Sequence, residues 1–567
     1  GWTAPAAAEW PDDPAVNLAI AGYGDGEQVV PKIAAAPDGG CYVGWYDNAR
    51  AGNYDVYLQR LDAAGVEQWA HDGLCVSAHP QNSWVTDWDL ICDAEGNAIV
   101  AFNDVRDGAD WDVFVYKVSP SGAQLWGADG QAVSDGNPDD EVAPALTQAT
   151  DGDIVVAWTT MGGDGFVLMQ RIAPDGAWRF PGPVAAVTGE GSEAPAFVDL
   201  VPSLQGDVIV SYVRDISMYM SPRHFRAWRI SPAGAPVWPS YVAIADDGAL
   251  PMGYAPTIQS DGAGGLVTAW HRADGTHLFA AAQRVSAGGV EAFPHNGVRV
   301  SLHGTQHHID PSYSFDPATG NLFVFWNERN SNQSAWGIYG QRLSAAGARQ
   351  WGDNGLVILP VDAVEKSYPR SAQVGADAVL FVADATGGSS SQARLRAWRF
   401  NAAGTNVWPA PALVSSSPST KNRLPLCVNG SGMAVIVWED DRNGSPDVYG
   451  QNVNADGTLG FDPTAVEESA AGTAALRLVC APNPSTSSVR LDLALRGRMP
   501  GAVLGIYDAA GSEVRRMRLG DLGAGDHAFS WDGRDAAGRA VAGGVYFARL
   551  HGAGGSEGTS VRLVRAR

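Results

Sequence analysis

The sequence predicts an all-β chain: an eight-bladed β-propeller whose last blade is closed by an N-terminal strand, followed by a small β-sandwich. Three observations carry this expectation. Composition is the first: 68 glycines, 34 prolines and 20 tryptophans among 567 residues, with 45% hydrophobic side chains, favour many short strands and tight turns over helices. The second is an eightfold repeat. The third is a break in pattern after Phe461, where that repeat stops.

The repeat is anchored by the stretch VYLQRLDAAGVEQW at 56–69 and its seven further copies. Its glycine falls at Gly65, Gly122, Gly176, Gly234, Gly289, Gly347, Gly404 and Gly457, at intervals of roughly 55 residues. Four places after each glycine stands an aromatic: Trp69, Trp126, Phe180, Trp238, Phe293, Trp351, Trp408 and Phe461. Each unit reads in the same order. A Pro-led segment such as PKIAAAPDGG comes first, then an apolar strand such as CYVGWYD, a polar hairpin, the "QR" strand, the glycine turn with its aromatic, and a last strand such as GLCVS. Four short strands per unit, joined by Gly, Asp and Asn turns, make a propeller blade. No segment shows the 3.6-residue period of a helical solenoid.

The eighth copy lacks its last strand. The stretch AAAEWPDDPAVNLAI at 6–20 has the layout of that missing piece, with Trp10 in the aromatic place. The N-terminus is therefore expected to supply the outer strand of the last blade, which removes an open edge. A free arm carrying Trp2 and Trp10 to a neighbouring molecule is the other reading. The domain boundaries that follow are 1–463 for the propeller, 464–475 for a small, polar linker and 476–567 for the sandwich, which holds six or seven short strands.

The last segment also carries a resemblance. APNPS at 481–485, IYDAAG at 506–511 and WDGRDAAGRAVAGGVYFARL at 531–550, with a basic terminal strand, resemble the FlgD-type immunoglobulin-like domain. The pattern is similar, too, to C-terminal sorting domains of the type IX secretion route. The resemblance implies an immunoglobulin-like sandwich on a bacterial protein that is secreted or displayed on the cell surface, the tail serving export, attachment or assembly. The eight repeats resemble propeller repeats of large secreted bacterial proteins, to which no activity attaches.

Charge narrows the partners. A net charge of -24 argues against nucleic acid and against electrostatic docking on anionic lipid. No apolar run approaches the roughly 20 residues of a membrane span. No signal peptide is visible, and a first residue of Gly1 suggests a processed or trimmed start. Cys41, Cys75, Cys92, Cys427 and Cys480 form no CxxC; they are compatible with one or two disulfides or with buried thiols.

Chemistry is scarce. There is no GxSxG, HExxH, phosphate loop or sialidase-type Asp box. The glycine–aromatic motif looks like the tryptophan-docking repeat of quinoprotein dehydrogenases. However, it lacks their threonine, and the chain lacks their adjacent cysteine pair, so a wedge between blades is expected rather than a quinone site. Hairpins such as NDVRDGADWD (103–112) and DDRNGSPD (440–447) gather Asp and Asn. An Asp–Arg pair bracing each hairpin is the simpler reading. No cofactor is called for, calcium being the one ion these oxygens could take. Met218, Tyr219 and Met220 in the fourth unit read as packing residues.

One cluster is confined to two units. His271, His277, His303, His307 and His308 all fall in loops that the antiparallel geometry places on one face of blades five and six, a candidate ligand or metal face. The alternative is a rim of solvated or capping histidines. Taken together, the sequence points to a noncatalytic binding or structural protein. Its partner would be an extracellular glycan or protein, or further copies of itself in a head-to-tail assembly or filament. A glycan-active or metal-dependent hydrolase or lyase, with its site on the propeller loop face, is the rival.

Overall fold

The computed structural model describes the chain except residues 1–8, 23, 25, 50–52, 80, 82–86, 107–109, 135–138, 162–164, 190–193, 216–222, 252–253, 276, 386–388, 462–475, 482–484, 486–487, 496–498, 509–511, 524, 552–558 and 566–567. Met218, Tyr219, Met220, Trp2 and the segment 464–475 lie outside the described residues. The chain divides into two compact units, Gly1–Pro463 and Thr464–Arg567. Among the described residues there is no α-helix, only two 3-10 turns, Leu204–Gly206 and Ser390–Gln392.

The first unit has a β-propeller fold, built from eight antiparallel sheets among the described residues. The first sheet shows the pattern. Gln28–Ala35, Cys41–Asp47, Asp55–Leu61 and Leu74–Ser77 pair in that order, each with the next. The second strand is mostly apolar, Asp47 at its end excepted, and wholly buried, because it is covered on both faces by neighbouring sheets. Successive sheets contact one another in chain order, and the eighth contacts the first.

Each glycine turn is a socket for the aromatic of the preceding repeat. A Cβ on Gly122 would meet Trp69, and those on Gly176, Gly289, Gly404 and Gly457 would meet Trp126, Trp238, Trp351 and Trp408. Phe180 and Phe293 face Gly234 and Gly347 in the same way. Five of the tryptophans also donate their indole N–H to the carbonyl two places before the glycine: Pro120, Pro174, Ala287, Ala402 and Ala455. The eighth socket, Gly65, is filled by Trp10.

The N-terminal segment joins the ring of sheets by several bonds. Leu18–Ala21 pairs antiparallel with the last strand of the eighth sheet, Asp447–Val453. In sheets one, six and eight the buried Gln of the "QR" strand donates its amide N–H to the carbonyl just after the aromatic. The acceptors are Ala70 for Gln59, Gly352 for Gln341 and, for Gln451, Pro11, which follows Trp10.

On the inner strands the ladder is interrupted by a bulge. Register shifts occur between Val29 and Lys32, Val142 and Ala145, Ala196 and Asp199, Ile309 and Ser312, and Ser367 and Arg370. Within them Val30, Ala143, Phe197, Asp310 and Tyr368 take φ near +50°, as does Arg423 in the eighth sheet. The residue after Val30, Ala143, Asp310 and Tyr368 is proline, which has no N–H to give to a ladder.

The second unit is a sandwich of two sheets. Leu476–Ala481, Val489–Leu495 and Gly525–Trp531 form one; Glu513–Leu522, Met499–Asp508, Gly544–His551 and Thr559–Arg565 form the other. Leu491, Leu504, Ile506, Trp531, Tyr546 and Leu550 from both sheets share one core.

Candidate functional site

Because a bulge puts two residues opposite one, it re-aims the side chains that follow it. Here those side chains line two adjoining cavities along the inner strands, which share Ala255 and Thr257. The larger, of about 460 Å³, is bounded by sheets five to eight and lined by Tyr254, Thr257, Asp310, Ser312, Tyr313, Tyr368 and Arg370. The smaller, of about 210 Å³, is bounded by sheets one to five and lined by Lys32, Asp87, Asp89, Phe197 and Asp199.

The carboxylates of the smaller cavity are committed to bracing. Asp89 accepts the Leu90 N–H and, on the third sheet, the Leu146 N–H, both at 2.8 Å. Asp199 repeats the arrangement with Leu200 and, on the fifth sheet, Ile258, again at 2.8 Å. Ser312 does the same for Ser371 N–H of the seventh sheet. Asp87 pairs with Lys32 at 2.8 Å, and its carboxyl is held below the usual range by that ammonium against the opposing effect of burial. Burial, with the charge of Asp89 adding to it, pushes Asp199 up to about 7 despite its two backbone donors.

The larger cavity differs in kind. Three phenols face it. Tyr313 donates to Thr257 O at 2.7 Å, and Tyr368 contacts Asn422 Oδ1 at 3.3 Å. Tyr254 packs its ring 3.9 Å from that of His271. His271 accepts the Asp310 backbone N–H at Nδ1, and burial pushes its pKa down to about 4, so it is a neutral acceptor. Arg370 donates to the carbonyl of Pro369, and burial lowers its pKa.

The five sequence-predicted histidines divide among three sets of partners. His271 packs against Tyr254 and the Asp310 backbone of the cavity wall. His277 and His307 have ring centroids 5.2 Å apart, and His307 accepts Leu278 N–H at Nδ1. His303 Nδ1 lies 2.9 Å from Glu328 Oε1, while His308 Nε2 is 3.4 Å from the other oxygen. Glu328 also accepts the Trp326 indole N–H at 2.6 Å. Burial pushes His308 down to about 4, assisted by His303, Arg299 and His307. Among the described residues no group of three His, Cys, Asp or Glu side chains is placed to hold a metal ion.

The Asp-rich hairpins hold their own counter-ions. Arg106 forks onto Asp104, and Arg442 with Lys421 takes Asp440. Cys41, Cys75, Cys92 and Cys427 form no disulfide. The sequence reading passed over the cavity-lining residues. The Pro-led segments were the available signal, since a proline inside a strand marks an edge or a bulge.

Residues 483–556 match the family model of the FlgD Ig-like domain, so the second unit is an immunoglobulin-like domain of that type. No curated protein matches the chain. Among solved structures, the polysaccharide lyase Uly1 is 11% identical over 79% of this chain and 92% of its own, with a TM-score of 0.41. A polysaccharide lyase of family PL25, an ulvan lyase, is 10% identical over 71% and 97%, with a TM-score of 0.42. FlgD from P. aeruginosa is 24% identical over 15% of this chain and 69% of its own, with a TM-score of 0.13. At these TM-scores the likenesses have no bearing on activity. No helix among the described residues is long and apolar enough to cross a membrane.

Proposed function

We propose that the chain is a noncatalytic binding protein of the bacterial exterior, an eight-bladed propeller with its ligand site in the cavity between blades five and eight. The propeller would occupy 1–463 and the FlgD-type domain 476–567, joined by 464–475. The observation that carries this reading is the larger cavity: about 460 Å³, open to water, with three tyrosines beside Thr257, Ser312, Asp310 and Arg370. Aromatic faces flanked by a few fixed polar groups suit a saccharide, whose C–H faces stack on rings while its hydroxyls exchange hydrogen bonds. Exposure of such a cavity to extracellular glycans agrees with the FlgD-type domain.

A glycan array, followed by calorimetry on the best ligand, tests the proposal. Saccharide binding that weakens by about tenfold in Tyr368→Ala, with no release of new reducing ends, is the expected result. No binding to any glycan would remove the ligand reading, and ordered fibres in electron micrographs of the purified protein would favour an assembly subunit instead.

The hydrolase or lyase reading has one observation of its own, the Asp199 carboxyl pushed up to about 7 beside Asp89. Its bonds to Leu200 and Ile258 tie it to the scaffold. Product release that stops in Asp199→Asn would restore the enzyme reading.

A further inference from the structure

Arginines of the first unit are mostly neutralised at close range. Arg60 pairs with Asp38, Arg171 with Asp153, Arg229 with Asp207, Arg284 with Asp261 and Arg399 with Asp377. In a chain of net charge -24 a partner is easy to find. Arg370 is an exception. It is half-buried on the wall of the larger cavity, and its one hydrogen bond among the described residues goes to the neutral carbonyl of Pro369. Asp310, the carboxylate nearest in the cavity wall, acts on Arg370 through space without an ion-pair contact. A half-buried cation left without a close counter-ion costs stability, and an anion would relieve that cost.

The backbone enforces the arrangement. Arg370 closes the bulge that holds Tyr368 at φ 51°. A β-region conformation at Tyr368 would turn the Arg370 side chain elsewhere, so the strained residue is the one that aims the guanidinium group. Around it Tyr254, Tyr313 and Tyr368 supply ring faces, and Ser312 and Thr257 supply hydroxyls.

Resting on the reading of this cavity as a saccharide site, we infer that its ligand is anionic: a sugar bearing a carboxylate, held by Arg370 with its ring against Tyr254 and Tyr368. Guanidinium groups suit this because a planar fork of N–H donors matches a carboxylate with two parallel bonds.

The test is titration calorimetry of the full chain with an oligogalacturonate and with its methyl ester, the same backbone without charge. The acid form is expected to bind at least about tenfold tighter than the ester, and its affinity is expected to fall with added salt while the ester's does not. Arg370→Gln should reduce acid binding by about tenfold and ester binding by much less, with unchanged thermal unfolding as the check on folding. Equal binding of acid and ester, without salt dependence, would overturn the anionic inference and leave the saccharide site standing. Binding of neither would overturn the inference for this uronate, and the saccharide reading would then be decided by the glycan array.

Discussion

At the scale of single residues, two buried groups with opposite titration behaviour contribute to the acid response of the propeller. Asp199 has an ordinary carboxyl pKa of 3.8 when unfolded and about 7 when folded, with Asp89 and Lys32 as its charged neighbours. Between those values the folded state holds a proton that the unfolded state has released. Its contribution to stability therefore falls as pH rises from about 4 to about 7, by an order of 2–4 kcal/mol. His308, facing His303, His307, Arg299 and Glu328, behaves in the reverse sense. Its pKa drops from 6.5 to about 4 on folding, so stability is lost as pH falls through that window. The two slopes partly cancel in the wild type. Asp199→Asn, whose single amide oxygen keeps only one of the two backbone donors Leu200 and Ile258, should make stability in urea fall more steeply from pH 6.5 to 4. His308→Phe should flatten or reverse the acid limb. Parallel curves for both variants and wild type would show that neither group titrates as described. No sequence pattern exposes this pair, because burial and the approach of Asp89 across the cavity depend on strands far apart in the chain.

At the scale of the element, the glycine turn and its aromatic form one joint repeated around the ring. Trp238 is representative: 5% exposed, seated on Gly289 with the hypothetical Cβ at 3.1 Å, and donating to Ala287 O at 2.9 Å. Gly289 has φ 77°, so a side chain there would suffer both the left-handed backbone and the ring. The chain itself shows which part of the joint matters more, since Phe180 and Phe293 fill equivalent sockets without an N–H. Trp238→Phe should therefore cost about 1 kcal/mol, the net worth of one hydrogen bond, and Trp238→Ala about 3–5 kcal/mol. Equal losses for the two in urea unfolding would contradict the socket description. These joints were legible in the sequence because glycine, aromatic and spacing all recur. The inner bulges were only half legible. Prolines 31, 144, 311 and 369 mark them, but φ near +50° at a β-branched Val30 or a bulky Tyr368 runs against local preference and is imposed by the packing of adjacent sheets. The side chains they aim, such as Arg370, differ from unit to unit and therefore carry no repeat signal. The histidine cluster stood between these cases: its five members were visible, and their division among Tyr254, Glu328 and one another was not.

At the scale of the whole first unit, integrity turns on how its two ends meet. The segment from Trp10 to Ala21 touches three sheets. Trp10 sits on Gly65 of the first, and Gln451 of the eighth donates to Pro11. Asn17 accepts from Ser415 of the seventh at 2.7 Å and from Arg442 of the eighth at 3.0 Å. Leu18–Ala21 covers the edge Asp447–Val453. A ring has no loose sheet when closed, whereas opening one joint leaves a paired-strand edge and an empty aromatic socket exposed together. Removal of residues 1–21 should thus do more than subtract a strand. The truncated protein is expected to lose several kcal/mol of stability and to associate as its concentration rises, through the bare Asp447–Val453 edge. A peptide spanning residues 6–22 added in trans should restore both the unfolding temperature and the monomer, because it supplies the Trp10 wedge, the Asn17 contacts and the strand at once. The same peptide with Trp10→Ala should bind far more weakly, while retaining the strand. A truncated chain that stayed monomeric and unfolded at the wild-type temperature would mean that the ring does not depend on this joint.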